Sequence, residues 1–206
     1  MHRSVSLDPE TLLTAYAQGV FPMADRDGQI RWYTADPRGI LPLEEEDPAR
    51  PHKPAFHIPG TLRQIVRQNR FEIRFNFDFE GTMRGCMEGR PGGTWISQTL
   101  INAYTRLHTL GFAHSVEAWQ GGQLVGGLYG VSLGGAFFGE SMFHRVRDAS
   151  KVALVHLVQR LRERHFELLD TQATTEHLRR FGCIDISADE YAVILKKALT
   201  RRCEFA

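Results

Sequence analysis

Residues Gly126 to His144 read GGLYGVSLGGAFFGESMFH, and the spacing of glycine among apolar residues there decides the fold. Short apolar runs punctuated by glycine make strands and turns, because glycine weakens a helix yet tolerates a bulge or a close backbone approach. Gln123–Tyr129 and Gly135–Phe138 are expected to form the arms of a β-hairpin, with Ser141–His144 leading into a helix from about Asp148 to Arg164. The apolar run Phe166–Asp170 is the next strand. A strand, a crossover helix and a second strand compose a βαβ unit with parallel strands, so hairpin and crossover together predict a mixed sheet.

Working back from that core, His114–Trp119 reads as a strand ending at Gly121-Gly122, Gln98–Leu110 as a helix closed by Gly111, and Phe71–Phe79 as a partly alternating strand. A helix starts near Pro59, with Leu62, Ile65 and Val66 on its apolar face. Asp8–Gly19 opens on Asp-Pro-Glu and reads as a capped helix, and the apolar runs Ile30–Tyr33 and Gly39–Leu43 read as hairpin strands broken at Asp27-Gly28 and Asp36-Pro37. Glu44–Pro54, acidic and proline-rich, is a linker or surface loop. Beyond the core, Thr175–Phe181 and Ser187–Thr200 read as helices, the latter with Glu190 three residues after Ser187 in a capping box. The whole is α+β: residues 1–54 as a small N-terminal α/β domain with linker, and residues 55–206 as a larger domain.

A chain of 206 residues with 42% hydrophobic and 24% charged content buries its own core without staples. Cys86, Cys183 and Cys203 lack CxxC spacing, which argues against a disulfide framework or structural zinc and fits a reducing cytoplasm. No run approaches the roughly 20 apolar residues of a membrane span, and Met1–Pro9 has no signal-peptide core. The net charge of +1 and pI near 7.8 mean that any nucleic-acid contact uses a local patch. With no long exposed apolar face or heptad, a monomer is expected.

Glu140 follows two aromatic residues at the end of the glycine-rich hairpin; on pattern alone it stands equally well as a binding group or as a solvated hairpin residue. Asp170 and Gln172 lie two residues apart at a strand end, which places both side chains on one face, although an Asp there also caps a following helix. Arg63, Arg67 and Arg70 share a helix face with Arg74 close by, a stripe suited to phosphates or simply to solvent. Trp95 is placed either for base stacking or for the core. The nine histidines show no HExxH or other ligand spacing, so no metal is expected.

Several segments, in order, resemble the leucyl/phenylalanyl-tRNA–protein transferase family: YAQGVFP from Tyr16, DPRGILPLE from Asp36, GTWIS from Gly93, YTRLHTLGFAHSVE from Tyr104, LVGGLYGV, FFGESMF, ASKVALVHL and LLDTQ. The resemblance covers most of the chain. It implies an acetyltransferase-like larger domain and a reaction without ATP, metal or other cofactor, since the aminoacyl ester is already activated. The implied partners are leucyl-tRNA and phenylalanyl-tRNA, and acceptor proteins with N-terminal Lys or Arg, whose α-amino nitrogen attacks the ester and which are thereby marked for N-degron degradation. Carried over by motif, Asp170 and Gln172 match the catalytic Asp-x-Gln, with the acid polarising the glutamine and the glutamine orienting the amine. Glu140 matches the active-site glutamate that holds the substrate's amino group. The implied side-chain pocket is lined by Leu128, Phe137, Phe138, Gly139, Ser141 and Met142, closed by Leu157 and Leu161. The resemblance also implies that Trp95 and Met23 flank the terminal adenosine, and with a tRNA substrate the helix-face stripe Arg63, Arg67 and Arg70 is expected to meet its phosphates. Two positions depart from the family pattern: Met23 stands where a Trp is common, and His144 where a Ser often follows GESMF.

Two other readings are weighed beside this one. A small-molecule N-acetyltransferase would carry a glycine-rich pyrophosphate loop opening a helix, and no such signature is present. A catalytically silent binding module has no need of Glu140, Asp170 and Gln172 together.

Overall fold

A computed structural model describes residues 6–25, 27–46, 49, 53–88 and 94–206; Gly93 of the GTWIS segment and Asp47 of the acidic stretch lie outside these. A helix α1 (Pro9–Ala17) and a hairpin of β1 (Phe21–Ala24) with β2 (Ile30–Tyr33) form a small N-terminal unit. Asp8 caps α1 by accepting from the Thr11 amide at 2.9 Å, a bond worth about 1 kcal/mol at an N-cap.

The strand β3 (Arg38–Ile40) departs from expectation. It does not close a local hairpin but inserts antiparallel between β8 (Leu168–Gln172) and β9 (Ile184–Ile186) of a seven-stranded sheet. So residues assigned by sequence to the small unit supply a strand to the large one. The sheet runs in the order β4 (Glu72–Phe75), β5 (Ala113–Gln120), β6 (Gln123–Leu133), β7 (Ala136–His144), β8, β3, β9. All neighbours are antiparallel except β7 and β8, which α5 (Ala149–Glu163) connects as the expected crossover. The sheet is therefore mixed, as the glycine pattern implied, and β6 and β7 run longer than the expected arms because glycines inside them do not end the pairing.

Two apolar layers hold the sheet. On one face α5 and α2 (Gly60–Arg67) bury Leu62, Val152, Leu157 and Leu161 against Val116, Leu128, Phe137 and Leu169. On the other, α1, α3 (Phe79–Met87), α4 (Gln98–Thr109) and α7 (Ala188–Leu199) bury Leu12, Met83, Leu100, Tyr104 and Leu195 against Tyr129, Val131, Phe138 and Leu168. Neighbouring residues such as Phe137 and Phe138 thus feed opposite layers, and each fully buried Leu or Phe contributes roughly 1.5–3 kcal/mol. The short helix α6 (Glu176–Arg179) follows β8.

Helix α3 was not expected from sequence, since Gly81 and Gly85 dilute its helical signal. Gly85 is there for packing: a Cβ on it would sit 2.5 Å from the Phe143 ring. The turn into α3 is held by Glu117, fully buried, whose carboxylate accepts from the Phe77 and Asp78 amides, the Ser115 hydroxyl and the Trp119 indole at 2.7–2.9 Å. Among the described residues no helix is long and apolar enough to cross a membrane.

Candidate active site

The pairing of β7 with β8 stops at Phe138 and Asp170, and beyond that point β7 continues against β6 alone. A bulge forms just there: Gly130 faces Gly139 and Tyr129 faces Ser141, which leaves Glu140 as the extra residue. A bulge bends its strand and re-aims one side chain. Together the parted strands and the bulge open a cavity of about 570 Å³, within the range of small-molecule sites.

Of the residues chosen from sequence, Met23, Trp95, Leu128, Gly139, Glu140, Ser141, Met142, Leu157 and Gln172 line this cavity. Met23 and Trp95 arrive together because the Ala24 amide donates to the Trp95 carbonyl at 3.1 Å. Phe21, Leu154, Leu169, His177 and Leu178 also line it and were not anticipated. Phe137, Phe138 and Leu161 do not line it. Phe137 stacks on Phe205 with ring centroids 5.3 Å apart, Phe138 packs on Tyr16, and Leu161 is a fully buried core residue on α5. Arg63, Arg67 and Arg70 are exposed on and just after α2, apart from the cavity. Arg74 is engaged by Glu72 and lies over Phe77 and Trp119, which removes it from the stripe.

The cavity floor is polar. Glu140 Oε1 accepts from the Tyr16 hydroxyl at 2.8 Å, its Oε2 lies 3.5 Å from the Tyr104 hydroxyl, and the two tyrosines bond to each other. The Gln172 side-chain amide donates to Glu140 Oε1 at 3.4 Å. Burial pushes the Glu140 carboxyl up to about 8; the Tyr16 bond opposes the rise, Asp170 adds to it, and Arg38 pulls against it. An arriving cation in the cavity favours the ionised form and reverses that rise. The same burial raises Tyr16 and Tyr104 well above the ordinary phenol range, so both remain hydrogen-bond donors.

Behind this floor Asp170 is wholly buried. Its Oδ1 accepts from Arg38 Nε at 2.9 Å and from the Gln172 main-chain amide at 2.8 Å, and its Oδ2 accepts from Arg38 Nη2 and the Tyr191 hydroxyl, both at 2.6 Å. The sequence expectation of a common face for Asp170 and Gln172 is not met. Gln172 has φ 57°, a left-handed backbone that ends the strand's alternation, so its side chain turns into the cavity while Asp170 stays behind it. That backbone costs a non-glycine residue roughly 1–2 kcal/mol, and the Asp170 carboxylate on its amide is what holds it.

The arrangement offers an apolar slot from Leu128, Met142, Leu154, Leu157 and Leu169, a carboxylate for a cationic amine, and an amide whose nitrogen donates to Glu140 and whose carbonyl oxygen has no donor among the described residues. Among the described residues no group of three or more His, Cys, Asp or Glu is placed to hold a metal. A larger, open cavity of about 820 Å³ lies at the opposite end of β8, lined by Glu167, Lys197 and Arg201, and holds none of these groups.

Residues 51–196 match the leucyl/phenylalanyl-tRNA protein transferase family, and residues 6–36 match its N-terminal domain. A leucyl/phenylalanyl-tRNA–protein transferase of Herpetosiphon aurantiacus is 53% identical over 94% of this chain and 95% of its own length. Relatives of the same name from Gloeobacter violaceus and Maricaulis maris are 52% and 51% identical, over 98% and 96% of this chain and 98% and 88% of theirs. The chain belongs to the leucyl/phenylalanyl-tRNA protein transferase family. Among solved structures, L-PGS from Bacillus licheniformis aligns at 9% identity and TM-score 0.47 over 95% of this chain and 71% of its own. A GCN5-related N-acetyltransferase-like protein from Streptococcus suis aligns at 13% identity and TM-score 0.37 over 86% of this chain and 64% of its own. As a member of the transferase family, the chain has Glu140 and Gln172 on the cavity floor and Met23 and Trp95 on its walls.

In hindsight Arg38 carried a readable signal, a lone arginine entering the apolar run of GILPL, whereas Tyr16, Tyr104 and Tyr191 looked like ordinary apolar helix positions. Nothing local in the sequence marks their hydroxyls as site groups.

Proposed function

We propose that this protein transfers leucine or phenylalanine, with methionine as a third substrate, from aminoacyl-tRNA to the α-amino group of proteins that begin with Lys or Arg. One observation carries the reading: Glu140 and the Gln172 amide, 3.4 Å apart, face a common apolar cavity whose walls include Met23 and Trp95. The aminoacyl side chain enters the apolar slot, which suits Leu, Phe and Met and disfavours β-branched residues by shape, a discrimination worth about 1–3 kcal/mol. The terminal adenosine sits between Trp95 and Met23. Glu140 holds the ammonium group of the aminoacyl ester.

The acceptor's neutral α-amino nitrogen then attacks the ester carbonyl, with its N–H accepted by the Gln172 amide oxygen. A C–N bond forms, the bond from the carbonyl carbon to the ribose oxygen breaks, and the tRNA leaves with a proton on that oxygen. Positioning supplies the acceleration, since correct orientation of an amine on an ester is worth roughly 7 kcal/mol or more. No ATP, metal or other cofactor is needed, because the ester already holds the energy.

Residues 1–54 serve as a small domain that brings Met23 to the adenosine, and residues 55–206 carry the transfer chemistry, with β3 lent from the first to the second. Arg63, Arg67 and Arg70 meet tRNA phosphates farther from the ester. The protein acts in the cytoplasm as a monomer, which fits the scatter of the exposed large apolar residues Phe77, Leu110 and Val193 over separate elements. The acceptors it modifies enter N-degron degradation.

The test is transfer of radiolabelled leucine from leucyl-tRNA to a peptide beginning with Arg, beside the same peptide with its N-terminus acetylated. Transfer to the free amine alone supports the reading. Transfer to neither peptide, or to both, refutes it.

A further inference from the structure

The geometry points to Arg38 and Tyr191 as positioning residues for the transfer step: they clamp Asp170 so that it acts on Gln172 only through the main chain. The inference rests on the transfer reading above. Arg38 and Tyr191 both lie outside the Asp-x-Gln and glutamate motifs.

Both carboxylate oxygens of Asp170 are occupied twice, by Arg38 Nε and the Gln172 amide on one side and by Arg38 Nη2 and the Tyr191 hydroxyl on the other. A carboxylate has about four acceptor positions. None is left for the Gln172 side chain, which bonds instead to Glu140. Asp170 therefore does not polarise the glutamine amide directly or touch substrate.

Arg38 is itself over-determined. It is 1% exposed, its remaining nitrogen donates to the Gly19 carbonyl at 2.8 Å, and its guanidinium lies between the Phe21 and Tyr191 rings at 5.2 and 4.4 Å from their centroids. The clamp thus joins the N-terminal segment, β3, β8 and α7 at one point. The next residue completes it. A Cβ on Gly39 would stand 2.6 Å from the Ala173 carbonyl carbon and 2.7 Å from the Thr174 nitrogen, so the chain leaving Gln172 packs directly on the β3 backbone. Gln172 is held from both sides, by Asp170 on its amide and by Gly39 beneath the turn that follows it. Loosening the clamp lets Gln172 leave its left-handed conformation and swing its amide away from Glu140.

A purely structural ion pair and a positioning clamp differ in what they do to a folded variant. The experiment measures kcat, and KM for phenylalanyl-tRNA, with an Arg-initiated peptide, for wild type, Tyr191→Phe and Arg38→Lys, with a thermal melt of each. Tyr191→Phe keeps the ring over Arg38 and removes one hydroxyl. Its kcat is expected to fall about 10-fold with KM within about two-fold, because the lost contact orients a reacting group without binding the tRNA. Arg38→Lys keeps the charge but loses the two-point grip, so its kcat is expected to fall about 100-fold, and lysine does not rescue. If Arg38→Lys fails to fold, Tyr191→Phe decides alone. Wild-type kcat in folded Tyr191→Phe overturns the inference, as does a loss that appears in KM or only in proportion to the unfolded fraction. A wild-type protein that transfers nothing overturns the transfer reading and the inference with it, whereas an active wild type beside an unimpaired Tyr191→Phe overturns the inference alone.

Discussion

Replacing Glu140 with Gln should make the protein more stable, and increasingly so as the pH rises. The carboxyl is held at about 8 in the folded chain against 4.5 for an unperturbed glutamate. The sign follows from which state binds the proton. With the folded value raised, the neutral group costs nothing below pH 4.5, and the folded state then loses ground with each unit of pH until the carboxyl ionises in place near pH 8. At about 1.36 kcal/mol per unit, the carboxyl costs the wild type roughly 1 kcal/mol at pH 5, about 3 at pH 7 and at most about 5 above pH 8. The Glu140→Gln variant has no carboxyl proton to lose, and the near-isosteric amide can still accept from Tyr16 through its oxygen. Urea unfolding of both proteins at pH 5, 7 and 9 reads the difference directly. At about 2 kcal/mol per molar urea, the gap between the two midpoints should widen by about 2 M from pH 5 to pH 9. Ionisable groups that do not interact with Glu140 cancel in the comparison. A gap that stays constant with pH, or one that narrows, refutes the reasoning that burial dominates at this site. The same variant should lose most of its transfer activity, since stability gained at a binding carboxylate is given up by function.

Met23→Trp should lower KM for aminoacyl-tRNA about five-fold, because base stacking on an aromatic ring exceeds a thioether contact by about 1 kcal/mol; an unchanged KM in steady-state transfer would place the adenosine elsewhere. The double change Arg63→Gln and Arg67→Gln should weaken tRNA binding and flatten its log–log salt dependence by up to about two, at roughly 0.9 per phosphate contact, with kcat unaltered. Filter binding across a salt series checks this, and an unchanged slope means the stripe is only a solvated face. Gly39→Ala should destabilise the fold by about 1–3 kcal/mol through overpacking and depress kcat in the fraction that folds, measured by denaturation beside transfer; a fully stable, fully active variant would show that the turn after Gln172 yields freely.

Much of this protein was legible in its residues taken in order. The glycine-punctuated run from Gly126, followed by an amphipathic helix and an apolar strand, was enough for a mixed sheet with one parallel crossover, because strand and helix periods are local properties of the chain. The motifs containing Glu140, Asp170, Gln172 and Trp95 were equally visible. Long-range pairing was not. β3 looked like half of a hairpin, and only its antiparallel pairing with both β8 and β9 in the folded sheet places it between them. Helix α3 was hidden because its glycines serve Phe143 and its capping turn rather than its own propensity.

The division runs through the site as well. Sequence alone determined which residue types the proposed reaction has at hand: a glutamate, an Asp-x-Gln, a ring and a thioether proposed to face a base, and apolar side chains for the proposed pocket. Tertiary structure decided which of them meet. The bulge at Glu140 and the left-handed turn at Gln172 both break the two-residue alternation on which the sequence reading relied, and they bring together side chains that alternation would separate. Buried Tyr16 and Tyr104 then give Glu140 fixed partners, and buried Arg38 and Tyr191 do the same for Asp170, which holds the Gln172 main chain, all from segments 21 to 132 residues away along the chain. Hydrogen bonds of that kind depend on a few tenths of an ångström in three dimensions, and spacing along a chain does not encode distances of that order.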